Sequence, residues 1–476
     1  MKKSFFLLFI LLSFIQAQTK YPQLNSELKA GNFNKAASTI DSVLVNEKGL
    51  SFIERSDLEF QKEKLSRIRL DFKRTAADVL AAVKKYYPDA DEKMLAQWEN
   101  TGSLETMTID GQKKYFNRAA SNLFLINKEA KAQKVKTAGP VKDALDEFLN
   151  THLPGVIKDA ETRKSRLAKP VKMTISYSLT VNPDAVPDGE IIRCWMPYPR
   201  EGHARQTDIK FLGCSSKEYT IASNDNMHRT LYMEQKAVKG KPAVFNMSYE
   251  YTCLSEWFSI DSAKVLPYNK ETDLYKTYTQ QRAPHIVFTD EIKKLSEKIV
   301  GRETNPYLKA KRIFEWISSN IPWAGAREYS TLENIPAYCL ENGHGDCGIK
   351  TLLFMTLARY NEIPVKWQSG WMMHPVEVNL HDWCEAYFEG YGWVPVDQSF
   401  GVQNYSSAPE VRDFYTNGID SYRLIVNDDY SAPLYPVKVF PRSETVDFQR
   451  GEVEWRGGNL YFDKWDYHMD IKYQEL

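Results

Sequence analysis

"ENGHGDCGIKTLLFMTLARYNEIP", residues 341–364, crowds glycines, a histidine and an aspartate around one cysteine and then runs into a regular apolar pattern. Counted from Ile349, the residues Leu352, Leu353, Thr356, Leu357 and Tyr360 return at i+3, i+4, i+7, i+8 and i+11, which is one face of a buried amphipathic helix. Asn361 and Pro364 end that helix, and the pattern places Cys347 at or just inside its first turn. Unpaired backbone N–H groups and the positive end of the helix dipole favour a thiolate at such a position, and they would also donate to an oxyanion beside the sulfur. Gly343, Gly345 and Gly348 leave the thiol approachable. The plainer reading is an inert core cysteine, and a base is needed to decide between the two.

The base is sought in "NLHDWCEAYFEGYGWVPVDQSFG", residues 379–401. His381, Trp383, Glu385 and Tyr387 alternate on one face of a strand, Glu389 to Gly392 make a turn, and Trp393 to Asp397 return. With a four-residue turn Asp397 would face Cys384, which points away from His381. An odd loop or a one-residue bulge instead places Asp397 opposite Trp383 or Glu385, within diagonal reach of His381, and Gly390 and Gly392 permit it. A cysteine at a helix start, followed by a histidine and an aspartate on neighbouring strands, is the order of a nucleophile, a general base and the group that orients the base.

With these motifs, "GHGDCGIKTLLFMTLARYNEIPVKWQSGW" and "LHDWCEAYFEGYGWVPVD", residues of about 285 to 402 resemble the transglutaminase-like cysteine enzyme superfamily. The resemblance implies an α+β papain/transglutaminase-like core in which Cys347 is the nucleophile, His381 the base and Asp397 the orienting acid. Asp346 departs from the valine or glutamine of many members, and a carboxylate beside the thiol opposes its ionisation. Cys384 is an unusual neighbour for the base. Trp323 and Tyr329 are the candidates for an aromatic oxyanion donor.

Around this core the chain reads as multidomain. The start, "MKKSFFLLFILLSFIQAQ", has a basic n-region, a short apolar run and Ala17, so residues 1–17 are expected to be a signal peptide and the protein secreted or periplasmic. Residues 18–165 are charged and helix-permissive, an expected α-helical region. Within it, "QWENTGSLETMTIDGQKKYFNRAASNLFLIN" reads as a turn leading into a helix. From Pro170 the period changes: Val171, Met173, Ile175, Tyr177, Leu179 and Val181 alternate with polar residues, as do Phe245 to Cys253 later. Several such runs separated by Pro, Gly, Asn and Asp predict an antiparallel β-sandwich over 166–265. The core is expected over 270–402, and a C-terminal extension over 403–476 packs on it, with "NLYFDKWDY" as an added edge strand.

Lys+Arg and Asp+Glu balance at 62 each, so no global field favours nucleic acid. No membrane insertion is expected after signal cleavage, the partner is a protein or peptide substrate, and the oligomeric state is left open. Six cysteines are too few for a disulfide scaffold, and no CxxC is present. His344, Cys347, His374, His381 and Cys384 are of types that bind metals, but their spacing is no recognised zinc pattern, and no metal or organic cofactor is expected. His374 is taken as a loop residue and His344 as a polar loop side chain near the site. The expected activity is acyl transfer or hydrolysis at protein or peptide carboxamides through a thioester. The alternative is a catalytically silent binding or scaffold protein with the same fold.

Overall fold

The computed structural model describes residues 20–140 and 142–476, so the signal-peptide expectation lies outside the described residues. The described residues form two compact units, one from 20–140, 283–285 and 322–346, the other from 142–282, 286–321 and 347–476.

The first unit is built on helices, among them Phe33–Asn46, Phe52–Asp71 and Glu92–Asn100. Their starts are locally specified: Ser51 with Glu54 and Thr75 with Asp78 make capping boxes, each joining two backbone N–H groups to side chains. Ile40, Leu58, Val79, Leu95, Tyr115 and Leu123 share its core. The stretch expected to be a turn into a helix folds differently. Residues Thr106–Ile109 (β1) and Gln112–Tyr115 (β2) pair as a hairpin across Asp110 and Gly111, both with positive φ (48° and 78°). Asp-Gly is the dipeptide that a twisted two-residue hairpin turn favours, and the helix begins only at Ala119.

The second unit contains three antiparallel sheets. Two are five-stranded. In one, β3 (Leu167–Val181) lies between β8 (Ala243–Trp257) and β16 (Trp465–Glu475), with β5 (Gln206–Cys214) and the short β12 (Gly418–Ile419) also on β8. The other runs β15 (Gly458–Leu460), β14 (Glu452–Trp455), β4 (Ile191–Pro197), β7 (Thr230–Lys236) and β6 (Tyr219–Ile221). The alternating residues of β3 and β8 are buried as their period requires, and they share one apolar cluster with Cys194, Trp195, Leu231 and Met233 of the other sheet. The Tyr-rich C-terminal segment supplies an eleven-residue edge strand, β16, paired along β3 from Trp465↔Val181 to Glu475↔Val171.

The third sheet has the order β11 (Gly392–Val396), β10 (Glu377–Phe388), β9 (Val365–His374), β13 (Arg423–Asn427). The helix Cys347–Tyr360 packs on it with residues 348–359 buried, and Thr351 Oγ1 donates to the Asp382 carbonyl of β10 at 3.4 Å. Helices Asp290–Val300 and Pro306–Asn320 flank it, capped by Thr289 and Asn305. Trp371, Met373, Leu424 and Val426 join the apolar cluster of the five-stranded sheets, so one core supports all three.

Candidate active site

Cys347 is the first residue of its helix, where the backbone N–H groups of the opening turn have no intrahelical acceptors. His381 lies on the inner strand β10, buried and opposite Gly370 of β9. β10 and β11 are joined by an odd loop of three residues, Glu389, Gly390 and Tyr391, with Phe388 facing Gly392 and Cys384 facing Val396. Asp397 is the next residue after Val396, one position beyond the pairing that ends at Cys384, and so reaches His381 diagonally. Positive φ at Gly390 (94°) and Gly392 (88°) makes that loop possible.

His381 Nε2 lies 2.8 Å from Oδ2 of Asp397. A carboxylate only accepts, so this contact places the ring proton on Nε2 and leaves Nδ1 as the basic nitrogen of the neutral ring. Asp397 is itself held from four directions. Its Oδ1 accepts from the backbone N–H of Ser399 (3.1 Å) and Phe400 (3.2 Å), and its Oδ2 also lies 3.1 Å from Nη1 of Arg423. Burial opposes the charge on Asp397, but His381 and Arg423 outweigh it and hold the carboxyl below its usual range. Burial likewise pushes His381 below the ordinary imidazole value, against the pull of Asp397. The Phe400 ring stands edge-on to His381 with centroids 5.2 Å apart, while Arg423 lies 4.4 Å from the centre of the same ring.

Cys347 joins this pair through the residue next to His381. Its Sγ donates to Oδ2 of Asp382 at 3.2 Å, and Oδ1 of Asp382 accepts from Nε2 of Gln449 at 2.7 Å. Neither Asp382 nor Gln449 emerges from the sequence reading. Alternation assigns His381 and Asp382 to opposite faces of β10, and nothing local brings a glutamine 67 residues downstream to Asp382. Arg423 is a third such residue. It is fully buried, bridges Asp397 and Asp420 (Nη2 to Oδ2, 2.7 Å), and Asp420 in turn lies 3.1 Å from Nε2 of His374. His374 is therefore the last residue of β9, buried against an acid, and not a loop side chain. Burial opposes the charge of Asp420, yet Arg423 and His374 hold it well below the carboxylate range.

The other residues singled out in the sequence fall into structural places. His344, in the first unit, is buried against Tyr338 and pushed down to about 4 by that burial. Tyr329 donates its hydroxyl to Asp346 at 2.6 Å, and the backbone of Trp323 bridges Gly345. Cys384 is buried, which raises its thiol well above the usual range. None of the six cysteines is disulfide-bonded. Trp367, Trp371 and Trp383 are core residues. Among the described residues no cluster of three His, Cys, Asp or Glu side chains is arranged to hold a metal ion, and no helix is long and apolar enough to cross a membrane.

Residues 293–398 match the transglutaminase-like superfamily, so the chain carries a domain of that superfamily spanning Cys347, His381 and Asp397. An uncharacterized protein of Haemophilus influenzae is 24% identical over 284 residues, covering 52% of this chain and 72% of that protein. Among solved structures, a protein described as "a Putative Cysteine Protease from Cytophaga hutchinsonii" is similar at 15% identity and a TM-score of 0.43, covering 65% of this chain and 92% of that one. The periplasmic domain of TgpA from Pseudomonas aeruginosa is similar at 13% identity and a TM-score of 0.25, covering 50% and 89%.

Proposed function

We propose that the protein is a thiol enzyme that transfers or hydrolyses acyl groups of protein or peptide carboxamides, with Cys347 as nucleophile, His381 as base and Asp397 as the orienting acid. The observation that carries this reading is the buried His381–Asp397 pair at 2.8 Å, which fixes the tautomer of a histidine whose neighbour in the chain holds the Cys347 sulfur. A base with one defined proton, backed by an acid kept charged, is the equipment of nucleophilic catalysis. In the first half-reaction the Cys347 sulfur bonds to the carbonyl carbon as its proton passes to His381. The C–N bond then breaks, the proton leaves with the amine, and a thioester remains. In the second, His381 takes a proton from water or an amine, which attacks the thioester, and the C–S bond breaks as that proton returns to the sulfur.

Several broader features belong to the same reading. We take the two five-stranded sheets as a β-sandwich accessory to the core, and the regions as 18–165 helical, 166–265 sandwich, 270–402 core and 403–476 extension. Residues 1–17 act as an export signal, so the enzyme works outside the cytoplasm.

The test is incubation of the purified full chain with glutaminyl peptides, with and without a primary amine. Ammonia release, peptide cleavage and acyl-enzyme mass are followed. Cys347→Ser and His381→Ala should each abolish turnover, with an acyl group found on Cys347 in the unsubstituted protein. Turnover that survives Cys347→Ser, or no acyl adduct with any peptide, overturns the assignment and favours the scaffold reading.

A further inference from the structure

The carboxylate of Asp382 is a group that the proposed chemistry leaves without a task, although it lies against the sulfur. It is almost fully buried, and it is gripped from outside its own strand. Gln449 donates to Oδ1 at 2.7 Å and also to the His381 carbonyl at 2.9 Å, while the Gln449 carbonyl accepts from Trp371 Nε1 at 3.0 Å. A carboxylate fixed this way cannot swing away when the sulfur changes charge.

From these contacts we infer that Asp382 keeps Cys347 in its protonated thiol form in the resting protein, so that the sulfur becomes anionic only as its proton leaves for His381 during attack. Ionising Cys347 at rest would set two full negative charges 3.2 Å apart, one of them on a carboxylate that is almost fully buried. The helix terminus works in the opposite direction, but with about half a charge spread over several N–H groups. A sulfur held back in this way is also the stronger nucleophile once freed, since nucleophilicity rises with thiol basicity.

The charged side chains of the neighbouring elements act in both directions. On β10 they are His381 and Asp382 themselves, and on the nucleophile's own helix Lys350, also buried. Asp346 precedes the sulfur in the chain and adds a further acid. From the segment 442–450 come Arg442, Glu444, Asp447 and Arg450. Arg450 pairs with Glu444 at 2.6 Å, and Arg442 lies 3.7 Å from Glu452. Asp447 is pushed well above the carboxylate range by burial and by the charges of Glu444 and Asp382.

The experiment is the rate of iodoacetamide alkylation at Cys347, read by peptide mass in the full chain between pH 5 and 10, for the unsubstituted protein and Asp382→Asn. The Asn side chain retains an oxygen for Gln449 but carries no charge. The expected midpoint of the unsubstituted protein lies above the free-cysteine value of about 8.5. Asp382→Asn should bring it down by about one unit or more, with a roughly tenfold faster rate at pH 7. Equal midpoints overturn the inference, and so does an unsubstituted midpoint at or below about 8.5, which decides the matter even if the variant does not fold. The inference rests on the proposed function only for the attack step. A lowered midpoint in a protein that turns over no amide keeps the proton assignment and overturns the function, and turnover with unchanged midpoints does the reverse.

Discussion

Arg423 shows how much of the candidate site depends on charges buried behind it. It is fully buried between Asp397 and Asp420, and removing one member of a buried ionic group leaves the others charged and unpaired. Arg423→Met should therefore lower stability by about 3–5 kcal/mol, measured as the shift of the urea unfolding midpoint. A loss below about 1 kcal/mol would show that the two acids are not paired through it. Asp397→Asn probes the other side of His381. Because Asp397 raises the His381 pKa against the effect of burial, the acid limb of kcat/KM in the proposed reaction should lie below about pH 6.5 in the unsubstituted protein and fall further in the variant. Turnover should drop by roughly 10²–10⁴-fold as the tautomer is released. A limb that moves upward would remove Asp397 from its orienting role.

At the scale of elements, two glycines separate two kinds of constraint. Gly111 follows Asp110 in the hairpin of the first unit with φ of 78° and nothing near the position a Cβ would take, so Gly111→Ala should cost about 1–2 kcal/mol from backbone conformation alone. Gly370 has an ordinary φ, but a Cβ there would run into the backbone carbonyl of Leu424 on β13. Gly370→Ala must push β13 away from β9, and β13 carries Arg423. We expect that substitution to lower kcat and stability together, whereas Gly111→Ala changes stability and leaves turnover intact. Steady-state rates and melting curves of the two variants side by side would check this, and equal turnover in both would mean that β13 tolerates displacement.

At the scale of the whole molecule, the second unit draws strands from sequence regions far apart. β13, at 423–427, completes the sheet that carries His381, and β14 to β16, at 452–475, complete the two five-stranded sheets. Residues 442–450 bring Gln449 to Asp382. A chain ending at residue 402 would retain Cys347, His381 and Asp397 but lack Arg423, Gln449 and a large share of the common apolar core. Such a chain should show no cooperative thermal transition and no turnover, judged by circular dichroism and the peptide assay. Cooperative melting near that of the full chain would mean that the core folds by itself.

What was legible in the sequence was whatever a short window encodes. The helix that starts at Cys347, the strand period around Val171 to Val181, and the need for an odd loop to bring Asp397 to His381 are all consequences of local spacing and backbone geometry. The Asp-Gly hairpin is equally local, but the apolar anchors that follow it point to a helix and mask its two short strands. Asp382 at the sulfur, Gln449 behind it, Arg423 behind Asp397 and His374 on Asp420 were decided only by the tertiary structure. Each is a polar side chain whose partner arrives from a distant segment. Periodicity records which side of an element is apolar, but it carries no record of which buried charge will meet which, because that depends on how separate strands are brought into register.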